Sequence, residues 1–240
     1  RLCGDEPRAP AAQAQLRQTM DSISVAHGPT SALYERLVLI SSACNDPSGP
    51  SEADEVYAIA SARERPPSTN LLRRAQLAFS WAVSDHNWAL AESYYQATIE
   101  NSAAIPEAAL RARLLRPTQQ DRVCHLAKRG DAAEAESQAS PLRAEFDTDF
   151  ARMGRLTPGQ GTFWLCLADA QRQQGRYDEA AATARVMLER CRATAAVMPG
   201  IRCDKWALEA LATIYLDAGR TNEAREMMEQ RKKIPRGGLF

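Results

Sequence analysis

The sequence predicts an all-α chain, a right-handed superhelical solenoid of antiparallel helix pairs. Three observations predict it. Apolar residues recur at helical spacing through most of the 240 residues, and no segment shows the alternation of a half-buried strand. Alanines at 91, 135, 180 and 224 recur at spacings of 44, 45 and 44, each five residues after a turn position held by His86, Gly130, Gly175 or Gly219. Self-similarity at a fixed period of this size marks stacked helix pairs. The turns also carry helix-end chemistry. In "QQGRYDEAA", Gly175 stands where one helix ends, and Asp178 and Glu179 stand where the next begins.

The elements follow in order. Residues 1–66 are expected to hold three N-terminal helices that form a degenerate or capping repeat. The first, "PAAQAQLRQTMDSISVAH", ends at Gly28-Pro29. The second, "TSALYERLVLISSAC", runs into the loop "NDPSGPSEAD", whose Pro47, Gly49 and Pro50 make a break. The third, "EADEVYAIASARE", closes at "RPPSTN", where Ser68 or Thr69 caps the next helix. Residues 67–233 are expected to be the repeats and 234–240 a flexible tail. Pro106 suits a first helical turn, and Pro117 is expected to kink or end that helix. "GRLTPGQG" at 154–161 reads as the last long loop. A small residue at the start of each second helix lets the paired helices approach closely, and a larger one would overpack the contact.

At these residues the chain resembles the tetratricopeptide repeats. Trp164, Leu167, Ala168, Gly175 and Ala180 stand at that family's spacing. Leu211, Ala212, Tyr215, Gly219 and Ala224 do so again, with Leu208 in place of the Trp. The unit around His86 matches at Ala91 and Tyr95, and the unit around Gly130 matches little beyond Gly130 and Ala135. The period of about 44 exceeds the family's usual 34 and is similar to long-helix variants in bacterial regulators. The resemblance implies a concave groove lined by the first helix of each pair. Carried over residue by residue, its lining is Arg73, Gln76 and Ser80, then Gln120, then Asp169, Arg172 and Gln173, and finally Trp206, Glu209, Thr213 and Asp217. This polar, mixed-charge set with one aromatic suits a protein or peptide segment held by hydrogen bonds, with Trp206 as an apolar anchor.

Composition narrows the alternatives. Thirty basic residues balance 30 acidic ones, which argues against a nucleic-acid partner whose affinity rests on phosphate neutralisation. No run of 18 apolar residues exists, so no direct membrane insertion is expected. The basic end "QRKKIPRGGLF" reads as a helix terminus with a frayed tail, or as a link to a further domain or membrane surface. A start at Arg1 without Met suggests an excised or processed piece. His27, His86 and His125 form no metal-ligand spacing, and no catalytic site, metal or cofactor is expected. Adjacent Cys124 and His125 read as a core cysteine beside a partly exposed histidine. The six cysteines are either buried thiols or pairs. Cys191 and Cys203 are the best candidate disulfide because Pro199-Gly200 must turn the chain between them, and Cys3 with Cys44 is a weaker one. Disulfides would place the chain in an extracytoplasmic, periplasmic-type compartment, and free thiols would place it in the cytoplasm. The expected function is a non-enzymatic scaffold or adaptor that binds a protein or peptide in its groove. The alternative is the ligand-sensing regulatory domain of a larger bacterial signalling or transcriptional regulator. Neither reading fixes the partner or the oligomeric state.

Overall fold

A computed structural model describes residues 9–28, 31, 50–198 and 201–234. The expected helix over 30–44, the tail after 234 and the pair Cys3–Cys44 lie outside them. Among the described residues there are ten helices and no strand. They are α1 (Ala9–His27), α2 (Pro50–Arg63), α3 (Thr69–Ser84), α4 (Trp88–Ser102), α5 (Ala108–Arg129), α6 (Ala132–Met153), α7 (Pro158–Gln173), α8 (Tyr177–Val197), α9 (Asp204–Asp217) and α10 (Thr221–Lys232). The chain divides into two compact units, which meet in sequence at Thr118 and Gln119.

In the first unit α3 and α4 form a tight pair, and α2 packs on α3. Ser68 is the N-cap of α3, and its hydroxyl accepts from the backbone N–H groups of Asn70 and Leu71. This satisfies donors that a helix start leaves orphaned. The α3–α4 turn carries His86 at φ 58, in the left-handed region that favours glycine. Two small cores result. Phe79, Ala82, Val83, Ala91 and Tyr94 make one, and Val56 and Ile59 with the flank of Met20 make the other.

In the second unit α7 pairs with α8 and α9 with α10, and α9 also packs on α8. One contiguous core runs from Val123 to Ala224 and includes Phe146, Phe163, Trp164, Met187, Leu208 and Leu211. The turns use Gly130, Gly175 and Gly219, all at positive φ between 72 and 94. Ala135, Ala180 and Ala224 are buried just beyond them, as Ala91 is in the first unit. Each sits where a larger side chain would push the helices apart.

Several sequence expectations are corrected. "GRLTPGQG" is not a loop throughout, because α7 begins at Pro158. Proline fits the first helical turn, and Thr157 and Gln160 close a reciprocal cap with each other's backbone N–H. Pro50 likewise opens α2 and does not belong to a loop. Pro117 does not end its helix, and α5 runs through it to Arg129. His125 is fully buried, not partly exposed, and Arg122 lies 2.9 Å from its Nδ1. Cys124 is no isolated core thiol, since it is disulfide-bonded to Cys166. A second disulfide joins Cys191 to Cys203. Each bridge ties one helix pair to the next: α5 to α7, and α8 to the start of α9.

Candidate functional site

The expected lining residues fall on four first helices, α3, α5, α7 and α9, and each unit places its own set. In the first unit Arg73 is exposed and Ser80 is half-buried on α3. Gln76 is already occupied, because its amide donates to Leu114 O at 2.8 Å and Thr118 Oγ1 at 2.9 Å. It fastens α3 to α5 within that unit.

In the second unit α7 and α9, the first helices of successive pairs, border a groove of about 240 Å³. Its apolar lining is Leu165, Ala168, Ala210 and Ile214. Its polar lining is Asp169, Arg172, Glu209 and Thr213. Four of the eleven expected residues therefore meet in one concavity. The reason is helical period: 165, 168, 169 and 172 share a face of α7, and 209, 210, 213 and 214 share a face of α9. The alanines provide the space, since a longer side chain at 168 or 210 would fill it.

Arg172 spans this groove. It donates to Asp169 through Nε at 2.9 Å and through a terminal nitrogen at 2.7 Å, and it pairs with Asp217 across on α9. Burial disfavours the Arg172 charge, but the hydrogen bonds to Asp169 and Asp217 outweigh it and raise its pKa. Gln173 donates to the other oxygen of Asp169 at 2.8 Å and to Ala127 O at 2.9 Å. Glu209 pairs with Arg231 of α10 at 3.3 Å. The Thr213 hydroxyl donates back to Glu209 O at 3.1 Å. Gln120 is not among the lining residues, and its Oε1 would stand 2.5 Å from a Cβ on Gly159. A Cβ at 159 would make the flexible Gln120 amide swing away from the first turn of α7. Trp206 is half-buried against the core, one turn before Glu209 and Ala210 on α9.

The sequence reading missed two features of the second unit. One is a cleft of about 380 Å³ between α8 and α10, floored by Leu188, Leu211 and Met227. Beside it the Tyr215 ring carries the guanidiniums of Arg185 at 5.8 Å and Arg220 at 4.6 Å. The other is a ladder of arginines reaching from one helix pair to its neighbour. Arg176 pairs with Glu136, Arg190 with Asp147 at 2.6 Å, and Arg220 with Asp178 at 3.1 Å. Their sequence separations of 40, 43 and 42 lie near one repeat, a signal that was present in the sequence without a way to select these pairs. Arg190 also lies 4.8 Å over Trp164 and 4.9 Å over Phe150. Among the described residues no cluster of His, Cys, Asp or Glu could hold a metal ion. Nor is any helix there long and apolar enough to cross a membrane.

No protein-family model and no curated protein matches the sequence. Solved structures do match. One, from Podosopora anserina and described by its kinesin light chain nearly identical TPR-like repeats, superposes with a TM-score of 0.55 at 16% identity. The match covers 92% of this chain and 94% of that one. The chain therefore has an all-α, tetratricopeptide-like helical-repeat fold.

Proposed function

We propose that this chain is a non-enzymatic protein-interaction module that holds an extended segment of a partner protein in the groove between α7 and α9. The observation that carries the reading is the groove itself. It has an apolar floor of Leu165, Ala168, Ala210 and Ile214 with a polar rim of Asp169, Arg172, Glu209 and Thr213. An apolar floor anchors a side chain, and a satisfied polar rim fixes register along the segment. Recurrence of buried Ala91, Ala135, Ala180 and Ala224 at a period near 44 supports reading residues 67–233 as long-period repeats, with 1–66 as a capping region. The disulfides support an extracytoplasmic setting, because such bonds persist in oxidising compartments. Gln120 and Trp206 do not line the groove described, and Arg73 and Ser80 belong to the first unit's own proposed binding surface.

The test is selection of peptides from a displayed library on the full chain, followed by affinity measurement against groove variants. Ala210→Arg and Thr213→Arg fill the floor and the rim. Selected peptides should lose at least about tenfold in affinity to either variant, roughly the cost of one lost apolar anchor, while helical circular dichroism stays unchanged. Peptides that bind both variants as tightly as wild type would place recognition elsewhere and defeat the proposal.

A further inference from the structure

Within that groove the chemistry also selects among segments, so the following rests on the proposed function. We infer that the segment the α7–α9 groove takes is cationic: an apolar side chain flanked by Lys or Arg.

The argument is an inventory of donors and acceptors. Three carboxylates border the groove: Asp169 and Glu209 line it, and Asp217 meets Arg172 across it. They remain wet, with side-chain exposures of 39%, 53% and 38%. One cation, Arg172, lines the groove. Three of its N–H donors are already given to Asp169 and Asp217. Arg231 reaches Glu209 from α10 at 3.3 Å through one nitrogen. The remaining hydrogen-bonding groups are also committed. The Gln173 amide serves Asp169 and Ala127 O, and the Thr213 hydroxyl donates into its own helix. The unspent capacity is therefore mostly acceptor. A carboxylate accepts at two oxygens with about four lone-pair sites, whereas the single bonds recorded to Asp217 and to Glu209 leave most of theirs open.

A ligand ammonium or guanidinium beside Asp217 or Glu209 finds acceptors already in place. A ligand carboxylate there meets like charge and must pull Arg172 from two partners. Exposed pairs contribute little each, so charge here sets preference and encounter rate, and affinity rests on the apolar floor. Leu165, Ala168, Ala210 and Ile214 supply that floor for the neighbouring side chain.

The experiment starts from library selection on the full oxidised chain and scores the net charge of the enriched peptides. Peptides that share one apolar centre are then synthesised with Lys, Gln or Glu flanks. Enrichment should be cationic. Lys-flanked peptides should bind about tenfold or more tighter than Glu-flanked ones at low salt, and the ratio should shrink at high salt as screening shortens the reach of the carboxylates. The double variant Glu209→Gln, Asp217→Asn should lose the charge preference and keep its affinity for the Gln-flanked peptide. The charge series on wild-type protein needs no variant to fold. Neutral or acidic peptides that still depend on Ala210 and Thr213 would overturn this inference and leave the groove reading standing. Peptides indifferent to the Ala210→Arg and Thr213→Arg variants would sink both.

Discussion

The two units use the same building block and hold it differently. The first relies on a helix cap and on single hydrogen bonds and ring contacts between its helices. Ser68 caps α3, the Ser68 N–H donates to the buried Asn101 Oδ1 at 3.0 Å, and Tyr57 meets Tyr94 edge-on at 5.2 Å. Its cores are small and separate. The second has one continuous core, both disulfides among the described residues, and arginines that link each helix pair to the next. Stacked repeats gain stability from their neighbours as well as from within. The difference teaches that junctions, more than pairs, distinguish the well-braced part of this chain. Exposed ion pairs contribute little energy each, so the ladder's main effect is on register, while the core and the disulfides supply stability.

The largest expected effect breaks that difference directly. Removing Cys124–Cys166 by Ser substitution frees a 42-residue separation, which a chain-entropy estimate values at about 4 kcal/mol. Removing Cys191–Cys203 frees a separation of 12, worth about 3 kcal/mol. Amide hydrogen exchange should show protection falling across residues 119–234 and holding across 50–118. Equal loss in both regions would mean that the units do not differ in the way described.

An intermediate effect sharpens the comparison. Ala180→Trp in the second unit and Ala91→Trp in the first both replace fully buried alanines. Overpacking costs about 1–3 kcal/mol or more. Thermal melts should show the first unit giving way on Ala91→Trp, while the disulfide-braced second unit survives Ala180→Trp with a lowered midpoint. Wild-type melting of both variants would mean that these alanines are not the tight points.

The smallest effect concerns pH. The hydrogen bond from Arg176 holds the Glu136 carboxyl below the usual carboxylate range, with further help from Gln171. The folded state therefore binds this proton less readily than the unfolded chain does. Its contribution is present above the ordinary carboxylate range and is lost as pH falls through the lowered value. At this exposure it amounts to at most about 1 kcal/mol. Glu136→Gln should flatten the acid limb of the stability curve of the second unit. An unchanged limb would show that the pair adds nothing measurable. Glu64, lowered chiefly by its hydrogen bond from Ser68, offers the matching test in the first unit.

Much of the fold was legible because backbone requirements and tight contacts leave marks on residue type. Gly130, Gly175 and Gly219 sit where φ must be positive, and alanines sit where helices touch. His86 shows the limit, since it occupies the same left-handed position with a side chain attached. Prolines were legible as punctuation but not in sign. Pro158 opens a helix because Thr157 and Gln160 cap it, and that pair carries no apolar periodicity to single it out. Pro117 passes inside α5. The groove was half legible. Helical spacing brought Asp169, Arg172, Glu209 and Thr213 to one face, but spacing cannot say which polar groups are already occupied, as Gln76 and Gln173 are. The Cys124–Cys166 bond was invisible because it joins helices separated by an intervening helix, which only packing brings together.

The two disulfides also bear on how the chain would behave under tension. A pull on both ends of the second unit straightens its helices, but the segments inside each bridge cannot lengthen. Separations of 42 and 12 residues, at about 3.5 Å per extended residue, withhold about 190 Å of contour length. The oxidised chain would stretch as a short, stepped tether, and the reduced chain would yield that hidden length.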